Sequence, residues 1–147
     1  YPVSAVVMRD EVARSLLERG FRYAQSHQND PLGCAVAREV IRVMQDKNLI
    51  EHSRQVGEYF LAELQRLADQ SAHICEVRGR GLMLAVQFNR ASKNMARQVF
   101  YDLLEHGFNV GCKPVPNLIR FLPPLLLAHD NASDFVETFD AVLLHFS

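Results

Sequence analysis

A mixed α/β domain of the α+β kind is what this 147-residue chain predicts. Apolar residues recur at helical spacing over several long stretches, while others run as short strand-like blocks. In the second half those blocks crowd together, too close for a helix to cross between each pair. No internal repeat and no low-complexity segment interrupts the pattern. Apolar residues make up 48% and charged residues 22%, the balance of an ordinary globular chain with length enough for one core.

The chain opens on Tyr1-Pro2-Val3, in mid-element and without an initiator methionine or leader, which reads as a piece of a longer protein. Val3 to Met8 reads as a short buried strand. Asp10 then caps a helix to Arg19, with Val12 and Leu16 beside Ala13 and Leu17 on adjacent i,i+4 rows, and Gly20 closes it. Phe21 to Asn29 is a loop or short strand ending in the polar run Ser26-His27-Gln28-Asn29. Asp30 is an N-cap, and Pro31 takes the first helical position, where its missing N–H costs nothing.

The helix from Pro31 to about Lys47 aligns Val36, Val40 and Met44, with Ala37 and Ile41 alongside. A second, from Leu49 to Ala68, aligns Val56, Phe60, Leu64 and Leu67. These stripes are packing surfaces. Ile74 to Val77 is strand-like, Arg78-Gly79-Arg80-Gly81 reads as a tight turn, and Leu82 to Phe88 suits a buried strand. Lys93 to His106 is helical on Met95, Val99 and Leu103, with Gly107 as its stop. Phe108 to Cys112 and Asn117 to Leu122 are two more strands, separated by Lys113-Pro114-Val115-Pro116. Asn131 or Ser133 caps the last helix, striped by Phe135, Phe139, Val142 and Phe146.

Several function classes fall away. The formal charge is −1, from 16 basic and 17 acidic residues, and no basic stripe interleaves with aromatics, so nucleic acid is not an expected partner. The apolar runs are too short to span a bilayer, so no membrane partner is expected. Cys34, Cys75 and Cys112 are odd in number and lack a C-x-x-C pair, as for free thiols in a reducing, cytoplasmic compartment. No histidine pair has metal-ligand spacing, and no nucleophile motif is present.

Three places can carry chemistry. The hydroxyl, imidazole and amide groups of Ser26 to Asn29, next to a helix start, can hold an anion, although a polar loop before a well-capped helix is the plainer reading. Arg78 and Arg80 can clamp an oxyanion, or sit solvated beside a turn. Arg120 is the sharpest case, a guanidinium in an apolar strand. Alternation sets it with Leu118 and Leu122 on one face and Ile119 and Phe121 on the other. A charge among leucines needs a partner, and an internal carboxylate or a ligand's would serve.

Taken in order, Tyr1-Pro2-Val3-Ser4-Ala5-Val6-Val7, Ser26-His27-Gln28-Asn29-Asp30-Pro31-Leu32-Gly33-Cys34-Ala35, Val77-Arg78-Gly79-Arg80-Gly81-Leu82-Met83 and Ile119-Arg120-Phe121-Leu122-Pro123-Pro124-Leu125 resemble the C-terminal part of class III aminotransferases. These include the 4-aminobutyrate, ornithine and acetylornithine enzymes. The resemblance covers essentially the whole chain. It implies fold type I, with a large cofactor domain and a smaller C-terminal domain in a homodimer. Residues 1–30 would end the large domain, and 31–147 would form the interdomain helix and small domain. The implied cofactor is pyridoxal phosphate, and the implied substrates are an amino acid and a 2-oxo acid.

By position, the resemblance makes Ser26 a contact to the cofactor phosphate of the neighbouring subunit and Arg120 the residue that binds a substrate carboxylate. Arg78 to Gly81 would be structural. The family's lysine, which forms a Schiff base with the cofactor, belongs just upstream of Tyr1-Pro2. The lysines present, Lys47, Lys93 and Lys113, lie elsewhere, and Asp30 stands where asparagine or histidine is usual. The chain alone is therefore expected to be inactive. The alternative is a binding or dimerisation module that keeps the fold without the chemistry.

Overall fold

The computed structural model describes residues 2–146. The chain divides into two compact units, Tyr1–Lys47 and Asn48–Ser147.

The first unit holds helices α1 (Asp10–Glu18) and α2 (Pro31–Asp46). Arg9, not Asp10, occupies the N-cap of α1, and no side chain caps it. Gly20 follows its end at φ +75°, the left-handed geometry foreseen for a stop. α2 begins as the sequence predicts: the Asp30 carboxylate accepts the Gly33 N–H at 3.1 Å, and Pro31 opens the helix. The strand expected at Val3 to Met8 is absent; those residues have no regular structure and are exposed. A strand needs a ladder partner for its backbone groups, and the described residues of this unit offer none. The segment before α2 is a loop with a turn at Ser26–Asn29, not a strand.

The second unit holds α3 (Leu49–Gln70), β1 (Ile74–Arg80), β2 (Met83–Phe88), α4 (Met95–Glu105), β3 (Gly111–Lys113), β4 (Leu118–Phe121) and α5 (His129–Leu144). The strands form one antiparallel sheet in the order β1-β2-β4-β3. α3 and α4 lie on the sheet, and α5 packs against both helices. The core between these layers is built from Phe60, Leu64, Val86, Phe88, Ile119 and Phe139 among others, each almost wholly buried. One sheet face is therefore dry and the other wet, as is common for antiparallel sheets.

Several sequence expectations shift here. The Arg78–Gly81 segment is not itself the turn: β1 runs to Arg80, and the chain reverses at Gly81–Leu82, with Gly81 at φ +54°. The strand expected at Phe108 to Cys112 pairs only over Gly111–Lys113. Neither Asn131 nor Ser133 caps α5. That helix starts earlier, at His129 after Ala128, and no side chain caps it. The His129 ring lies 4.0 Å from that of Tyr59 on α3, so packing sets the start of α5. Among the described residues, no helix is long and apolar enough to cross a membrane.

Candidate functional site

Ser26 stands at the start of a turn closed by the Gln28 N–H on the Gln25 carbonyl and the Asp30 N–H on the His27 carbonyl. Its hydroxyl is exposed and makes no hydrogen bond among the described residues, so it is available to donate. The start of α2 itself is less welcoming to an anion than the sequence suggests. The Asp30 carboxylate already sits on the Gly33 N–H, placing a negative charge where the helix dipole would draw a ligand's.

Arg120 lies in the middle of β4. Ile119 and Phe121 on either side are buried, while Arg120 is exposed on the wet face. Leu118 and Leu122 do not flank it as equals: Leu118 is buried and Leu122 is 60% exposed. The amide of Gln87, Leu118's cross-strand neighbour, folds onto the Pro116 and Asn117 carbonyls at that end of the strand. Arg120 therefore needs no internal carboxylate, and it forms no ion pair among the described residues. Its side chain lies over Gly111 on β3, where an added Cβ would come within 3.4 Å of the Arg120 Cβ and 3.6 Å of its Nε. Glycine at 111 keeps that path clear.

Sequence reasoning missed the residue that sets the start of β4. Asn117 sits at φ +72° one residue before the strand. Its Oδ1 accepts the Ala96 N–H at 2.8 Å, and its Nδ2 donates to the Ser92 carbonyl at 2.8 Å and to the Asn89 carbonyl at 3.3 Å. Asn94, beside α4 in sequence, makes no cap, so a residue distant in sequence satisfies the helix start. The only hint was an asparagine, the residue most tolerant of left-handed backbone, directly after Val115-Pro116.

The remaining groups read as structural. His52 Nε2 meets the Leu127 carbonyl at 2.9 Å, and the His73 ring bridges Ser92 Oγ and the Phe146 carbonyl, each at 2.9 Å. All three cysteines are free. Burial pushes the Cys112 thiol above its ordinary pKa, with the Arg97 charge opposing, so it is a poor nucleophile. No group of His, Cys, Asp and Glu among the described residues could hold a metal ion. An apolar cavity of about 560 Å³ lies beyond the end of β4, lined by Phe60, Phe108, Phe121, Pro123, Leu126 and Phe135 among others. No buried polar side chain among the described residues lacks a partner.

The family model described as aminotransferase class-III matches residues 1–143. The chain belongs to the class III aminotransferases. It is 31% identical over 144 residues to ornithine aminotransferase 1 of Staphylococcus saprophyticus, a match covering 97% of this chain and 34% of that protein. Against the mitochondrial alanine–glyoxylate aminotransferase 2 of Pongo abelii it is 27% identical, covering 97% of this chain and 29% of that protein. The crystal structure of acetylornithine aminotransferase from Elizabethkingia anophelis superposes with a TM-score of 0.78 at 29% identity, over 86% of this chain and 31% of that one. This class III aminotransferase chain thus spans about a third of the length of the relatives it matches. Its mixed α/β fold is that of the fold-type I transaminases.

Proposed function

We propose that this chain carries the carboxylate-recognising part of a pyridoxal-phosphate-dependent transaminase, which moves an amino group from an amino acid to a 2-oxo acid. The observation behind this is Arg120, an exposed guanidinium without an ion-pair partner among the described residues, fixed on a strand whose neighbouring residues are buried. Such a fork can take a carboxylate in two parallel charge-assisted bonds, and its backbone is already ordered. Ser26 offers a free hydroxyl that suits an oxygen of the cofactor phosphate, contributed across a homodimer interface to the neighbouring subunit. Residues 1–30 would complete the large cofactor domain, and 31–147 would form the interdomain helix and small domain. The setting is cytoplasmic.

When bound, pyridoxal phosphate supplies the electron sink for amino-group transfer. This chain's share is to hold and orient the substrate carboxylate at Arg120 and an anionic oxygen at Ser26. None of Lys47, Lys93 or Lys113 stands where the family's cofactor lysine belongs, upstream of Tyr1. The 147-residue polypeptide is accordingly one part of the enzyme and inactive alone, which agrees with its covering 34% of the Staphylococcus saprophyticus enzyme.

Two measurements test this. The purified polypeptide, given pyridoxal phosphate with pairs of amino acids and 2-oxo acids, should show no turnover; sustained amino transfer would overturn its assignment as an incomplete part. The mass and N-terminal sequence of the protein from its native source should reveal a longer chain with a lysine shortly before Tyr1. A native chain starting at Tyr1 would overturn the transaminase assignment and leave a binding or dimerisation module.

A further inference from the structure

Arg120 does not stand alone on its face of the sheet. The register sets Arg78 of β1 opposite Ala85 of β2, Ala85 opposite Arg120 of β4, and Arg120 opposite Gly111 of β3. These four residues form one row across all four strands, and alternation turns their side chains away from the core. Arg78 and Arg120 are exposed, while the residue between them carries only a methyl group. With strands about 4.8 Å apart, the two arginine Cα atoms stand ~10 Å from each other.

The two arginines also lean apart. Arg120 lies over Gly111, toward β3. Arg78 reaches along its own strand, its Nη1 donating to Glu76 Oε2 at 2.6 Å. Between them is an open floor with Ala85 at its centre, Met83 at one end and Gln87 at the other. Arg80, on the same face one row along, adds positive charge and makes no ion pair among the described residues. Lys113 adds more on β3, and Glu76 is the carboxylate of this face.

The Glu76–Arg78 pair is exposed at both ends, Glu76 at 54% and Arg78 at 47%, so water competes with it effectively. It engages one nitrogen of the guanidinium and leaves the other N–H groups to a ligand.

We propose that Arg78 is a specificity-determining residue: it takes the second anionic group of a ligand whose first carboxylate sits on Arg120, so that this face favours dianions over monoanions. This rests on Arg120 being the carboxylate site. Glu76 is a built-in competitor for Arg78, and its charge sets how strongly the second anion is held.

The test is an NMR titration of the full chain, following the arginine Nε–H signals with butyrate and with succinate, glutarate and adipate. Butyrate should move the Arg120 signal alone, and at least one dicarboxylate should move those of Arg78 and Arg120 together. Arg78→Gln should weaken that dicarboxylate about threefold and leave butyrate unchanged, while Arg78→Lys restores part of the loss. Glu76→Gln should tighten the dicarboxylate by a similar factor. An unchanged dicarboxylate-to-butyrate ratio in Arg78→Gln would overturn the role of Arg78 while leaving Arg120 in place. Butyrate binding that survives Arg120→Gln would overturn the Arg120 assignment itself, and this inference with it. The amide spectra of the variants serve as the control for folding.

Discussion

At Gly57 the chain tolerates no side chain. A Cβ built there would sit 2.3 Å from the carbonyl oxygen of Gly81 and 2.8 Å from its Cα, so α3 and the β1–β2 turn meet backbone to backbone. Because the obstruction is backbone, relief requires moving the hairpin off the helix. Gly57→Ala is therefore expected to cost about 3 kcal/mol, read as a lower urea midpoint; a loss below about 1 kcal/mol would mean that the turn gives way freely. The sequence showed Gly79 and Gly81 as special but not Gly57, because a helical glycine shows its purpose only beside the backbone it admits. Arg120 was legible differently. Its alternation with Ile119 and Phe121 was readable and holds, whereas Leu118 is buried although alternation sets it on Arg120's face, beside Gln87 of another strand.

Elements show the same division between local and distant causes. The Asp30 cap and Pro31 were readable because donor and acceptor lie three residues apart. The cap of α4 was not, because Asn117 arrives from 21 residues downstream. α3 shows what local charge patterning does: Arg54 pairs with Glu51 at 2.6 Å and with Glu58 at 2.6 Å, one turn to either side. The Arg54 hydrogen bonds, helped by Gln55, hold the Glu51 carboxyl down to about 2. A lowered folded-state pKa supports the helix above the ordinary carboxylate range, and that support goes as pH falls through about 2. Arg54→Gln should return Glu51 toward the ordinary value of about 4.3, as followed by side-chain carboxyl NMR. A Glu51 titration still near 2 in that variant would place the cause elsewhere.

Across the whole molecule, burial is unevenly shared. Among the described residues, every buried hydrophobic one, from Leu49 to Leu143, belongs to the second unit. In the first unit, Gly33 is the only buried residue among those described, and Val6, Val7 and Leu17 are exposed. Stability therefore resides in residues 48–147. Brief trypsin treatment is expected to cut first at Arg14, Arg19 or Arg22 and to leave a resistant core beginning near Lys47. Early cuts within α3 or α4, reported by mass spectrometry, would contradict this. The mixed fold was readable from patterning alone, because the periodicities of helix and strand survive in a single sequence. The missing N-terminal strand was not, since a strand depends on a neighbour that no local pattern reveals.

The alternation along β4 carries a consequence for how such a protein diverges. Ile119 and Phe121 face inward and hold the domain together, while Arg120 faces outward, as do Arg78 and Glu76 on β1. Residues that keep the chain folded and residues that choose a ligand thus lie on opposite sides of the same sheet. A single nucleotide change at an outward codon can alter what is recognised at little thermodynamic cost. Lineages that share this scaffold can therefore drift in preference one outward residue at a time, while the inward half of each strand stays under constraint.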